Sequence, residues 1–157
     1  MTLLSVFQWL DATPISVVIR NSTTIFPVVE VFHLFGLTVL LGTITITDLR
    51  MLGYGMRRQS IATVAGQLAP YTVWAAVLTI VTGLLLFLSE AMKCYSNEAF
   101  PYKMALLLGG IIVYYFFQRR ITRPDSHVSP GTLKIIAILS LLLWYGVAIA
   151  GRAIAFV

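Results

Sequence analysis

Four long apolar stretches, separated by short polar segments, dominate the pattern of residues along the chain. They cover approximately residues 25–49, 69–88, 100–117 and 133–156. An α-helix needs about 20 predominantly apolar residues to cross the roughly 30 Å of hydrocarbon in a bilayer. The pattern therefore predicts an all-α, polytopic membrane protein whose four transmembrane helices form a bundle over residues 24–157.

Residues 1–23 are too interrupted by polar side chains to span a membrane. Their apolar side chains nevertheless recur at helical spacing, and Thr13 followed by Pro14 is typical of a helix start. We predict that this N-terminal segment is amphipathic and forms one or two short helices in the membrane interface, with Trp9 at headgroup depth.

The composition agrees with a membrane protein, since 59% of the 157 residues are hydrophobic and 11% are charged. Soluble domains carry about 25% charged residues, so a separate soluble domain is excluded. The formal net charge of +5 does not indicate nucleic-acid binding, because the basic residues lie between the apolar stretches. The single cysteine, Cys94, cannot form an intramolecular disulfide.

The basic residues are distributed unevenly between the two ends of the predicted helices. The loops after the first and third spans, with their flanks, contain Arg50, Arg57, Arg58, Arg119, Arg120, Arg123 and Lys134. The opposite end contains Arg20, Lys93, Lys103 and Arg152. Lysine and arginine are enriched in cytoplasmic loops. We therefore predict a multi-pass protein of a bacterial inner membrane, with both termini in the periplasm.

Each predicted helix carries an ionisable side chain near its outer, periplasmic end. Glu30 and His33 lie on the first helix, Glu90 ends the second, Lys103 begins the third, and Arg152 lies in the last turns of the fourth. Ionisable groups at membrane depth are costly and are functional candidates by default. Their common depth predicts a site at this end of the bundle.

Structural roles are the alternative for most of these side chains. Lys103, Glu90 and Arg152 lie close enough to helix ends to extend their charged groups to the interface. Glu30 could pair with Arg152 or Lys103 in a buried ion pair that aligns two helices.

Polar residues at the opposite end have simpler interpretations. We predict that Asp48 acts with Arg50 to end the first helix on the cytoplasmic side. Thr43, Thr45 and Thr47 are expected to hydrogen-bond to their own helix. His127 lies in a polar loop and is expected to be solvated.

His33 is the strongest candidate for chemistry. A neutral imidazole within a spanning helix needs partners for both nitrogens, and haem is a common cofactor of histidines in helical bundles. We predict that His33 binds a haem iron. The second axial position could be taken by Lys103, Met104, Met92, water or nothing. Aromatic side chains that could face a porphyrin are Phe32, Phe35, Trp74, Tyr114 and Tyr145.

Two segments resemble known membrane families. Phe32–Gly36, followed by Asp48–Arg50, resembles the first helix of the copper-resistance D family and of the HemJ-type, oxygen-independent protoporphyrinogen oxidases. Phe100–Met104 resembles a lysine-bearing helix start of the HemJ type. The resemblance implies haem b, with His33 as an iron ligand and Lys103 as a residue of the site.

The chain also resembles, more closely, a small uncharacterised bacterial family. That family has a Pro-x-x-Glu-x-x-His-x-x-Gly core, an Asp-Leu-Arg helix end and a Gly-Arg pair in its last helix. The matching residues in this chain are Pro27, Glu30, His33, Gly36, Asp48, Leu49, Arg50, Gly151 and Arg152.

Three hypotheses about function follow. The first is membrane electron transfer through one haem b, in which Lys103, Arg152 and Glu30 contact the propionates, the second axial side or a quinone. The chain would then exchange electrons with a membrane or periplasmic redox protein, alone or as a subunit of a larger complex. The second is a cofactor-free anchoring subunit of a membrane complex. The third is transport of protons or metal ions.

Overall fold

The computed structural model describes residues 2–121 and 128–153. The described chain is all-α, as the sequence predicts. Its helices are α1 (Leu3–Asp11), α2 (Pro14–Asn21), α3 (Ile25–Leu52), α4 (Ile61–Ser89), α5 (Ala91–Ser96), α6 (Ala99–Ile112), a π-helical turn (Val113–Gln118), α7 (Arg119–Ile121) and α8 (Pro130–Ala153). Arg123, His127 and the predicted end of the fourth span at residue 156 lie outside the described residues.

Four helical segments are long and apolar enough to cross a membrane: Ile25–Leu52, Ile61–Ser89, Ala99–Gln118 and Pro130–Ala153. The protein is therefore an integral, multi-pass membrane protein. We call the end of the bundle where α3 begins and α8 ends the amino-terminal end. The opposite end, which carries Arg50, is called the basic end.

The helix boundaries reflect local capping. Ser60 begins α4 at Ile61, earlier than the predicted span, because its Oγ accepts a hydrogen bond of 3.0 Å from the Thr63 amide. Pro70 is consequently inside α4 and not near its start. Gly53 ends α3 with a left-handed φ of 91°, a conformation that glycine adopts without a Cβ penalty.

The four spanning segments alternate in direction. α3 packs against α4 and α8, and α8 also packs against α6. A central core joins Leu40 and Ile44 of α3 to Ala75 of α4 and Trp144 of α8. α4 and α6 meet at the amino-terminal end, where the Phe87 ring stacks on the Phe100 ring with the ring centroids 5.5 Å apart.

The N-terminal segment forms two helices that pack on the amino-terminal end of the bundle. The Phe7 ring of α1 contacts Phe87 at 5.7 Å between ring centroids. Arg20 of α2 forms an ion pair of 2.7 Å with Asp11 and donates to the Ser89 carbonyl at 3.4 Å. The Trp9 side chain is 69% exposed.

Cys94 is buried within α5, and we expect its thiol to react slowly with a maleimide at neutral pH. Burial raises the pKa of Cys94, and the negative charge of Glu90 raises it further, so the reactive thiolate is scarce. Mass spectrometry of the detergent-solubilised protein gives the rate, which should rise on denaturation. The control is Cys94→Ala with Ser96→Cys, because Ser96 is exposed on the same helix. Equal rates for the two thiols would contradict the expectation.

A π-helical turn, Val113–Gln118, interrupts the third spanning segment at the basic end. It leaves Tyr115 and Phe116 exposed but buries Gln118, which is 2% exposed. π-Turns are rare and frequently lie at functional sites.

Candidate functional site

His33 is held by two groups of α4. Its Nδ1 lies 3.1 Å from the Thr79 carbonyl oxygen and 3.1 Å from the Thr82 hydroxyl. The Thr82 hydroxyl donates its own hydrogen to the Leu78 carbonyl at 2.6 Å. Both neighbours of Nδ1 are therefore acceptors, so Nδ1 carries the hydrogen of the imidazole. In the neutral ring, Nε2 is then the nitrogen with a lone pair.

Two glycines allow α3 and α4 to approach closely around this ring. A Cβ on Gly83 would lie 3.0 Å from Cε1 of His33, so the imidazole packs on the α4 backbone. One turn along α3, a Cβ on Gly36 would lie 2.7 Å from Oγ1 of Thr79. At both glycines, therefore, the two helices themselves approach closely.

Lys103 and Glu30 are the charged side chains that act electrostatically on His33. Lys103 reaches across to α8, where its Cε and Nζ would each be 3.5 Å from a Cβ on Gly151. The structure thus brings His33, Glu30 and Lys103 into one neighbourhood at the amino-terminal end. Arg152 follows Gly151 on α8 and is exposed.

The ion pairs considered from the sequence are not formed within the described ranges. There, Glu30 forms no salt bridge with Lys103 or Arg152, and the ion pairs present are Arg20–Asp11 and Lys93–Glu90. Oε2 of Glu90 lies 3.8 Å from Nζ of Lys93, and both side chains are partly exposed at the end of the bundle.

Most of the aromatic side chains named from the sequence do not surround His33. Phe32, Phe35, Trp74 and Tyr145 are each about half exposed on the outside of the bundle, and Phe35 meets Trp74 edge-on at 6.1 Å. For Phe32 and Phe35 the outward position follows from helical geometry, because the opposite face of α3 is the one that packs on α4 and α8. Only Tyr114 packs against the central core.

Asp48 has a different role from the one predicted. Arg50 donates to the Gln59 carbonyl at 2.9 and 2.7 Å, so it does not pair with Asp48 at the helix end. Asp48 is 0% exposed and accepts a hydrogen bond of 2.5 Å from Nε2 of Gln118. Ser140 of α8 is also 0% exposed and acts on the same carboxyl group.

Thr43 and Thr47 donate to carbonyls of their own helix, as predicted, whereas the Thr45 hydroxyl lies 3.2 Å from the Tyr145 hydroxyl of α8. The sequence contains a signal for the second cluster, around Asp48. Thr43, Thr47 and Asp48 share one face of α3, and all three are buried. A polar face that continues to the end of a spanning helix indicates burial against other helices. The partners Gln118 and Ser140 could not be identified in this way, because only the packing of distant segments brings them to Asp48.

His33 offers a single nitrogen ligand, which suits a haem iron better than a metal ion held by protein side chains alone. The described residues contain no group of three or more His, Cys, Asp or Glu side chains that could hold a metal ion. A haem iron brings its own porphyrin nitrogens and needs only an axial ligand from the protein. The lone pair on Nε2 fits that requirement.

Comparison with protein families identifies a family that matches this chain. The model of a family of unknown function, DUF6644, matches residues 6–157 and thus nearly the whole chain. Comparisons with curated proteins and with solved structures give no match.

Proposed function

Because the chain belongs to this family of unknown function, DUF6644, we propose its function from its own side chains. The proposal is that His33 binds one haem b near the amino-terminal end, and that the protein transfers electrons in the membrane. The observation that carries it is the hydrogen bonding of Nδ1, which leaves the Nε2 lone pair for a metal.

Histidine ligands of metals commonly donate their other ring N–H to a carbonyl or carboxylate, which fixes the tautomer and the ring orientation. The Thr79 carbonyl and the Thr82 hydroxyl give His33 this kind of support. Gly83 supports the ring from one side because it has no Cβ to displace it. Together these contacts fix the orientation of the ring, as ligation of a metal requires.

The neighbouring charges have complementary roles in this proposal. Lys103 and Arg152 would contact the propionates or the second axial side, and Glu30 would set the local charge or bind a quinone. The resemblance of Phe32–Gly36 and Phe100–Met104 to the copper-resistance D and HemJ-type families supports haem b as the cofactor. When bound, haem supplies one-electron redox chemistry, while these residues bind and orient it.

The proposed setting is a bacterial inner membrane with both termini in the periplasm. The excess of arginine at the basic end supports this orientation. The haem would then lie near the periplasmic face, where it could exchange electrons with a periplasmic or membrane redox protein and the quinone pool.

The absorption spectrum of the purified protein tests the proposal. We expect a Soret band after expression in haem-supplied cells, and its loss in His33→Ala. The matched control is His127→Ala, since the chain has two histidines. Size-exclusion elution shows whether each variant is folded. A colourless wild type, or a Soret band unchanged in folded His33→Ala, would exclude the proposal.

A cofactor-free anchoring subunit is the alternative, and one observation favours it. Both hydrogen bonds of His33 join α3 to α4, as those of a purely structural histidine would. In that case His33→Ala would reduce co-purification with partner proteins while all preparations stayed colourless. Transport ranks third, because buried Leu40 and Ile44 separate His33 from Asp48 along α3.

A further inference from the structure

We propose that Asp48 is the proton-binding group of a second buried site, at the basic end, where its acid hydrogen is shared with Ser140. The site joins α3, the π-helical turn and α8. It is independent of haem binding, since it lies about four turns of α3 away from His33.

The two oxygens of Asp48 differ in their partners. Oδ1 accepts the hydrogen bond from Gln118, whereas Oδ2 is buried and has no hydrogen-bond partner in the structure. A carboxylate can only accept hydrogen bonds, and a buried charge without compensation is costly. A proton on Oδ2 removes the charge and converts this oxygen into a donor.

No cation among the described residues neutralises Asp48. Arg50 of α3 binds the Gln59 carbonyl, and the Arg119 guanidinium lies 5.4 Å from the centre of the Tyr115 ring. Arg120 of α7 and Lys134 of α8 are exposed, and neither forms an ion pair with Asp48. On α4 the one ionisable side chain is Tyr71, which is 62% exposed.

Ser140 supplies the acceptor that a protonated Asp48 needs. Its Oγ is buried without a hydrogen-bond partner, and Ser140 is the polar side chain of α8 that acts on the Asp48 carboxyl. One hydrogen between these two oxygens would satisfy both. The serine hydrogen would leave the buried carboxylate charge without a cation, whereas the acid hydrogen of Asp48 removes that charge as well. A metal cation is a poorer fit, because hard cations take six or more oxygen ligands.

The π-helical turn explains why Gln118 reaches this site. A π turn contains an extra residue, so it rotates the following side chains relative to a regular α-helix. Gln118 is buried at the end of this turn, while the next residue, Arg119, is exposed. The distortion therefore places an amide against Asp48 and keeps the guanidinium outside.

Carbon-13 NMR of protein labelled at the aspartate side-chain carboxyl tests the proposal in bilayers. The chain has three aspartates, Asp11, Asp48 and Asp125. At pH 7 we expect one resonance at the chemical shift of a protonated acid, absent in Asp48→Asn and retained in Asp11→Asn. Three carboxylate resonances at pH 7, or a sodium-dependent shift of the Asp48 resonance, would overturn the proposal.

Ser140→Ala gives a second test that does not require Asp48→Asn to fold. Without its acceptor, the protonated acid loses a hydrogen bond, so the pH midpoint of the Asp48 resonance should fall. A Ser140 hydroxyl that instead donates to an ionised Asp48 would give a higher midpoint in this variant. That result, or an unchanged midpoint, would overturn the shared hydrogen.

Discussion

Gly36→Leu is expected to lower the free energy of unfolding by about 1–3 kcal/mol, the range for overpacked cores. A Cβ at Gly36 would lie 2.7 Å from Oγ1 of Thr79 and 3.3 Å from the Leu78 side chain. The rest of a leucine side chain needs more space still. α3 and α4 must therefore separate, which also lengthens the hydrogen bond from His33 to the Thr79 carbonyl.

Thermal unfolding in detergent, followed by circular dichroism, measures this effect. Gly42→Leu is the matched control, because a Cβ at Gly42 meets nothing within 4 Å and the residue is exposed on the same helix. Its melting temperature should be unchanged or higher, since leucine is the better helix former. Equal melting temperatures for the two variants would show that α3 and α4 do not meet at Gly36.

Gly83→Val is expected to displace the His33 ring and weaken haem binding. A Cβ at Gly83 would already lie 3.0 Å from Cε1 and 3.5 Å from Nδ1 of His33, and valine adds two methyl groups. The imidazole then loses its hydrogen bonds to Thr79 and Thr82. Loss of such support around a metal ligand typically costs about 10–100-fold in affinity, and we expect a loss in that range.

Haem titration into the purified apoprotein measures the affinity, and nitrogen-15 NMR of the histidine rings reports the Nδ1 hydrogen without any cofactor. Gly66→Val is the control on α4, because a Cβ at Gly66 meets nothing within 4 Å. If Gly83→Val leaves the histidine spectrum unchanged, the packing of His33 on α4 is wrong. If only the spectrum changes and haem affinity does not, the ring is not the ligand.

The spanning helices were predictable because hydrophobicity over a whole segment decides membrane insertion, and the four segments of the structure follow the four apolar stretches. The start of α2 was predictable for a local reason, since Thr13 caps a helix that begins with Pro14. The start of α4 was not, because Ser60 lies in a polar loop where several residues could cap a helix.

The candidate site was only partly predictable. The face shared by Glu30 and His33 follows from helical periodicity, but the acceptors of the Nδ1 hydrogen are a carbonyl and a hydroxyl of another helix. The role of Asp48 depends on a residue 70 positions away, and on a backbone distortion that no hydrophobic pattern encodes. Arg50 is close to Asp48 in the sequence but does not bind it, because the face of a helix, and not nearness along the chain, decides which side chains meet in a bundle.

The π-helical turn has a consequence for how homologous chains should be compared. Because the turn holds one residue more than a regular helix, a relative without it would be one residue shorter within an otherwise ungapped span. Such a single-residue deletion between Val113 and Gln118 would return the backbone to regular α-helix and rotate every later side chain of that segment by about 100°. A gap at this position would therefore mark relatives in which the residue corresponding to Gln118 no longer reaches the buried carboxyl group of Asp48.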